Sequence, residues 1–176
     1  MGQGFASGIR ILNVESPGQE IADRQAFAQL RDRAYRLLAR REHSQWELRQ
    51  KLHSHDGADQ LDRLVAVLTE EGSLSDDRFA EQLVRSKVSA GKGPRVILQE
   101  LKRHRLEEDI IHAVLSEYRD RWNALADSVR LKKFGREAPA DYRAWTKQAR
   151  FLQQRGFSPD HIGSYDGRSY EGSSDS

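Results

Sequence analysis

Apolar residues along this chain recur three, four and seven positions apart, the spacing that lines one face of an α-helix. Phe27, Leu30, Ala34, Leu37 and Leu38 make the stripe of a first, long helix. Leu61, Leu64, Val65 and Leu68 make another, and Ile110, Ile111, Val114, Leu115 and Tyr118 a third. Shorter stripes join Leu48 to Leu52, Phe79 to Leu83 and Val84, Ile97 to Leu101, and Leu125 to Val129. Tyr142, Trp145, Ala149 and Leu152 complete the set. Only Ile9, Ile11 and Val14 alternate as an edge strand would, and they sit in a Gly-, Ser- and Gln-rich stretch that reads better as a mobile arm.

Start signals agree with the stripes. Ser44 and Glu47 have the spacing of a capping box, in which each side chain satisfies a free backbone N–H at a helix start. Ser75 precedes Asp76 and Asp77, an N-cap followed by acids that complement the helix dipole. Gly93–Pro94 and Ser158–Pro159 put proline at the first helical position, where its missing N–H costs nothing. About nine short helices follow from these boundaries.

The helices repeat. Leu68-x3-Gly72-x-Leu74-Ser75-Asp76 is similar to Leu152-x3-Gly156-Phe157-Ser158-Pro159-Asp160, and Leu101-x3-Arg105-Leu106-Glu107 lies between them. Each reads as a helix end, an apolar anchor and a new helix start. Ser44, Leu48 and Leu52 likewise match Gly93, Ile97 and Leu101 in spacing. The expected fold is all-α: three tandem three-helix repeats forming an elongated, curved body. The repeats are placed at 22–72, 73–118 and 119–163, between a flexible arm (1–21) and a disordered tail (164–176). Units this small bury too little alone and should lean on their neighbours.

Composition narrows the chemistry. The 176 residues are 37% hydrophobic and 32% charged, which suits a thin helical body better than one thick core. There is no cysteine, so disulfides, thiolate metal sites and thiol nucleophiles are excluded. No run of about 18 apolar residues exists, so no membrane helix is expected. The N-terminus lacks the basic-then-apolar pattern of a secretion signal, which leaves the cytoplasm as the expected location.

Catalytic constellations are scarce. Gly91-Lys92-Gly93 lacks the full phosphate-loop pattern, and proline follows it. His53-x-His55-Asp56 is the best metal candidate, but residues two apart on a helix point to nearly opposite faces and no second cluster completes a ligand set. Exposed histidines at a helix end are the plainer reading. No cofactor and no metal are expected, and the chain reads as a binding protein, not an enzyme.

Basic charge clusters between Arg85 and Arg105, where Arg85, Lys87, Lys92, Arg95, Lys102 and Arg103 are opposed only by Glu100. Arg95, Gln99, Lys102 and Arg103 could share one polar helix face behind Ile97, Leu98 and Leu101. Arg36 and Arg40 in the first unit, and Lys132 and Lys133 in the third, could join them on one concave side that seeks phosphates or an acidic partner. A solvated helix face explains the same charges without a ligand.

Three motifs in order carry a family resemblance. They are Leu37-Leu38-x2-Arg41-x2-Ser44-x2-Glu47-Leu48-x2-Lys51-Leu52, Gly72-x-Leu74-Ser75-Asp76-x-Arg78-Phe79-Ala80, and Gly93-x3-Ile97-x2-Glu100-Leu101. Arg155-Gly156-Phe157 is a fainter echo. Over residues 30 to 163 the chain resembles the RecX regulatory proteins of bacterial recombination. The resemblance implies a monomer that binds RecA recombinase and its nucleoprotein filament, with DNA phosphates a candidate direct contact. It further implies limitation of filament extension and inhibition of RecA's ATPase, strand-exchange and coprotease activities. A stand-alone helix-turn-helix-like DNA-binding protein, reading a groove with Arg95, Gln99, Lys102 and Arg103, is the alternative. One position departs from the family pattern: Arg105 stands where glycine is usual. If that backbone is left-handed, the side chain costs about 1 kcal/mol.

Overall fold

The computed structural model describes residues 17–53 and 58–164, and among them every regular element is helical. The first unit holds α1 (Pro17–Leu38), α2 (Gln45–Leu52) and α3 (Ala58–Glu70). The second holds α4 (Asp76–Ser89), α5 (Pro94–Arg103) and α6 (Glu108–Ser116). A 3-10 turn at Arg119–Arg121 leads into the third, with α7 (Trp122–Phe134), α8 (Tyr142–Gln154) and α9 (Pro159–Ile162). Three three-helix units therefore follow one another, as the repeat predicts. The Ile9–Val14 alternation, His55, Asp56 and residues 165–176 lie outside the described residues.

Two local expectations change. Residues 17–21, assigned to the arm, are helical: Pro17 opens α1 with its fixed φ, and Glu20 lies in the first turn. Tyr142, assigned to a buried stripe, is 64% exposed. It occupies the first turn of α8, whereas the buried residues of that helix, Ala149 and Leu152, lie two to three turns further along.

The expected caps largely form. Ser75 Oγ accepts from Arg78 N–H at 3.3 Å, and Pro94 and Pro159 sit at the starts of α5 and α9. Ser44 Oγ accepts from Glu47 N–H at 3.1 Å. The reciprocal arm of that box is not made, because the Glu47 carboxylate takes both guanidinium nitrogens of Arg41 instead. A bidentate charged pair outcompetes one bond to a backbone N–H.

The repeat is visible in the backbone. Gly72, Arg105 and Gly156 have φ of 71°, 54° and 96°, and each ends a helix in the left-handed region. The apolar residue that follows is buried each time: Leu74, Leu106 and Phe157. Leu74 N–H bonds back to Leu68 O at 2.9 Å, and Phe157 N–H to Leu152 O at 3.1 Å, closing the turns over the last carbonyls. Arg105 is the one non-glycine residue with positive φ among those described. The departure from glycine at this position thus carries the strain anticipated for it.

Among the described residues the buried side chains form two cores. The first unit has its own, built from Leu30, Ala34, Leu48, Leu52, Leu61, Leu64, Val65 and Leu68, with Leu74 as its last member. The second and third units share one: Phe79, Val84, Ile97, Leu101 and Val114 pack in the same cluster as Trp122, Ala126, Leu152 and Phe157.

Candidate binding surface

The junction between the second and third units is made by backbone. Gly93 N–H donates to Arg155 O at 2.7 Å and Arg95 N–H to Gly156 O at 3.1 Å. A Cβ on Gly93 would lie 2.5 Å from the carbonyl carbon of Gly156, and one on Gly156 would lie 2.7 Å from Val96 N. Two glycines therefore let the turn before α5 press directly on the turn after α8. Arg155 closes the edge, donating to Ala90 O at 3.0 Å with its guanidinium over the Phe151 ring.

Side chains make the junction between the first and second units. Gln45 N–H donates to Asp76 Oδ1 at 2.8 Å, and Arg78 Nε to Glu42 Oε1 at 2.9 Å. The ring of His104 fills the gap, 4.7 Å from Phe79 and 5.9 Å from Trp46 between centroids, with Nδ1 3.5 Å from Ser44 Oγ. Arg105 lies over Trp46 at 5.9 Å. Burial lowers the pKa of His104, with Arg41 and Arg103 adding to the effect while Glu47 and Glu100 oppose it. Burial likewise lowers His43, whose Nδ1 meets Arg41 O, and raises Asp76 against its bond from Gln45. For Glu47, burial works to raise the pKa, but Arg41, then His43 and His104, hold it below the ordinary value.

The basic residues singled out from sequence fall into several settings. Arg36, Arg85, Lys87 and Arg103 are ion-paired within the chain: Arg36 to Asp32, Arg85 to Glu81, and both Lys87 and Arg103 to Glu100. On α5, Arg95, Gln99 and Lys102 are exposed. Lys102 lines a cavity of about 550 Å³ together with Glu108, Asp109 and Arg119. Lys92 lies part-buried at the junction of the second and third units, and Arg40 is exposed just past the end of α1. Lys132 and Lys133 line a cavity of about 420 Å³ with Arg155 and the end of α4, which brings second- and third-unit residues together.

Lys133 also lines a second, open cavity of about 990 Å³ between the end of α7, the 135–141 loop and α8. Its other basic residues, Arg143, Lys147 and Arg150, were not singled out from sequence. Their i, i+4, i+7 spacing was the available signal. It is easily missed beside the denser run at Arg85–Arg105, because acids in the sequence around it do not announce how charge is distributed between units.

Among the described residues no group of His, Asp or Glu is arranged to hold a metal ion, and no helix is long and apolar enough to cross a membrane. His53 is described and exposed.

Comparisons with known proteins follow the three units. Residues 31–56, 75–115 and 120–165 match, in turn, the first, second and third three-helix domains of RecX. The chain is 45% identical over 135 residues to the regulatory protein RecX of Halorhodospira halophila, covering 76% of this chain and 83% of that one. It is 38% identical to the protein of that name from Vibrio vulnificus over 133 residues, covering 75% and 87%. The crystal structure of RecX from Lactobacillus salivarius superposes with a TM-score of 0.63 at 24% identity, covering 77% of this chain and 91% of the other. A second crystal structure of a regulatory protein RecX gives 0.69 at 23% identity, covering 84% and 77%. These two support the fold.

Proposed function

Because the chain belongs to the RecX family of regulatory proteins, we propose that it binds RecA recombinase and its DNA filament. There it modulates RecA, chiefly by inhibiting its ATPase, strand-exchange and coprotease activities. The observation that carries this reading is the ordered match of all three helical units to regulatory proteins of that name over three quarters of the chain. The relatives are named as regulators, and we read this chain as a cytoplasmic, monomeric regulator that acts by binding and without catalysis.

The shared core supports a mechanical role. A second and third unit fused through Gly93 and Gly156 present a stiff body to a partner. The first unit, held by side chains across a mostly polar junction, can adjust its angle at lower cost. Arg40, Lys92, Arg95, Gln99, Lys102, Lys132 and Lys133 make no ion pair among the described residues, and these are the sequence-identified residues we propose for filament contact.

RecA's DNA-dependent ATPase, titrated with the chain, tests the reading. The rate should fall at substoichiometric to near-stoichiometric amounts. An unchanged rate at saturating protein would sink the proposal.

A further inference from the structure

The formal charge of +2 is not spread along the chain. Basic and acidic residues are equal in number over 22–72 and again over 73–118, whereas over 119–163 ten basic residues face five acids. The excess gathers on one surface. Lys133, Arg143, Lys147 and Arg150 line the same open cavity of about 990 Å³, and none of the four side chains has an ion pair or hydrogen bond among the described residues. Its one acid, Asp141, is engaged in capping α8, accepting from Ala144 N–H at 2.6 Å. By contrast, Arg85 of α4 pairs with Glu81, and Lys87 of α4 and Arg103 of α5 share Glu100.

Aromatic residues interleave with this charge. Tyr142, on the cavity rim, is 64% exposed and stacks on Trp145 at 5.8 Å with 22° between the rings. Phe134 and Phe151, edge to face at 5.3 Å, line the same cavity. A row of unneutralised cations beside an exposed, braced ring is the combination that holds a flexible polyanion with flat bases: phosphates meet the cations and a base lies on the ring. An acidic peptide would use the cations but has no need of the ring face. A duplex hides its base faces and would gain from the cations alone.

We infer that the surface between the end of α7, the 135–141 loop and α8 is a binding site for single-stranded nucleic acid, with Arg143, Lys147, Arg150 and Lys133 on the phosphates and Tyr142 stacking on a base. The site works without RecA and does not depend on RecA being the partner.

Fluorescence anisotropy of labelled single strands of about 20 nucleotides, with the full chain and no recombinase present, tests this. Oligothymidine and oligouridine serve as the two sugar arms; tight binding of either supports the site and identifies the strand. The combined variant Arg143→Gln, Lys147→Gln, Arg150→Gln changes only exposed side chains. It should weaken binding at least about tenfold and reduce the slope of log affinity against log salt by about 2, at roughly 0.7 per phosphate contact. Tyr142→Ala should weaken binding about fivefold or more and leave that slope unchanged. Unchanged binding by the triple variant, with a wild-type helical spectrum, overturns the assignment. Duplex binding as tight as single-strand binding overturns it too, as does complete displacement of the strand by an equal charge of polyglutamate. Loss of RecA inhibition by the wild-type chain would instead count against the family function and leave this site standing.

Discussion

Ser44 and Gly93 occupy equivalent places in the repeat, each just before the second helix of a unit, and Arg105 and Gly156 each follow the second helix of the next unit. Gly93 meets Gly156 at the second junction, whereas at the first Ser44 meets His104 and Arg105 lies over Trp46. Where both residues are glycine, two turns press together, exchange backbone hydrogen bonds and let Phe157 enter a core common to both units. Where they are serine and arginine, no backbone hydrogen bond crosses from α2 to the turn after α5. The space is taken by His104 and Trp46, and the cores stay separate. The two glycines at the second junction thus permit a fusion that the first junction lacks.

Exchanging the residues should break the comparison most sharply. Gly93→Ser puts a Cβ 2.5 Å from backbone that has no rotamer to yield, so a loss of about 3 kcal/mol is expected from the forced shift. The mirror change, Ser44→Gly, removes one cap and no packing constraint, and should cost only a few tenths of a kcal/mol. Urea unfolding of both variants checks this asymmetry. Equal losses would mean the two junctions are mechanically alike.

Arg105→Gly is the next largest effect and has the opposite sign. Relieving a left-handed φ of 54° should add about 1 kcal/mol, reduced by the lost contact with Trp46. The same measurement should show a higher midpoint. A lower one would mean that Arg105 holds the junction more than its backbone strains it.

Acidification should act through the histidines, and least. Burial keeps His104 and His43 below the ordinary imidazole pKa of about 6.5. Below that value the unfolded chain takes up protons that the folded chain refuses, so stability falls as pH drops from 6.5 towards the lowered values. Raised Asp76 contributes with the reverse sign, but only in the carboxylate range. Melting followed between about pH 7 and pH 5.5 should show a decline in the wild-type chain and a flatter curve in His104→Gln. Parallel curves would remove His104 from the junction's pH response.

Much of this was legible in the sequence because it is local. Helix stripes, the Ser75 cap, the prolines at 94 and 159 and the recurring turn at 72, 105 and 156 all depend on residues a few positions apart. What escaped is long-range. That Glu100 would collect Lys87 from the preceding helix, and that Gly93 would face Gly156, depend on contacts that spacing does not encode. Tyr142 fits the apolar period of α8 yet stands in its exposed first turn, which turned a core reading into a surface residue. Charge is equally hard to read: in the dense basic run Arg85, Lys87 and Arg103 are ion-paired, whereas the sparser row Arg143, Lys147 and Arg150 on α8 has no ion pair among the described residues.

Co-sedimentation of the full chain with RecA filaments assembled on single-stranded DNA tests whether the chain binds the filament through RecA. The chain should pellet with the filament and require RecA to do so at salt that suppresses its binding to bare DNA. A chain that stays in the supernatant while intact filaments pellet would mean that it is not a filament-binding regulator.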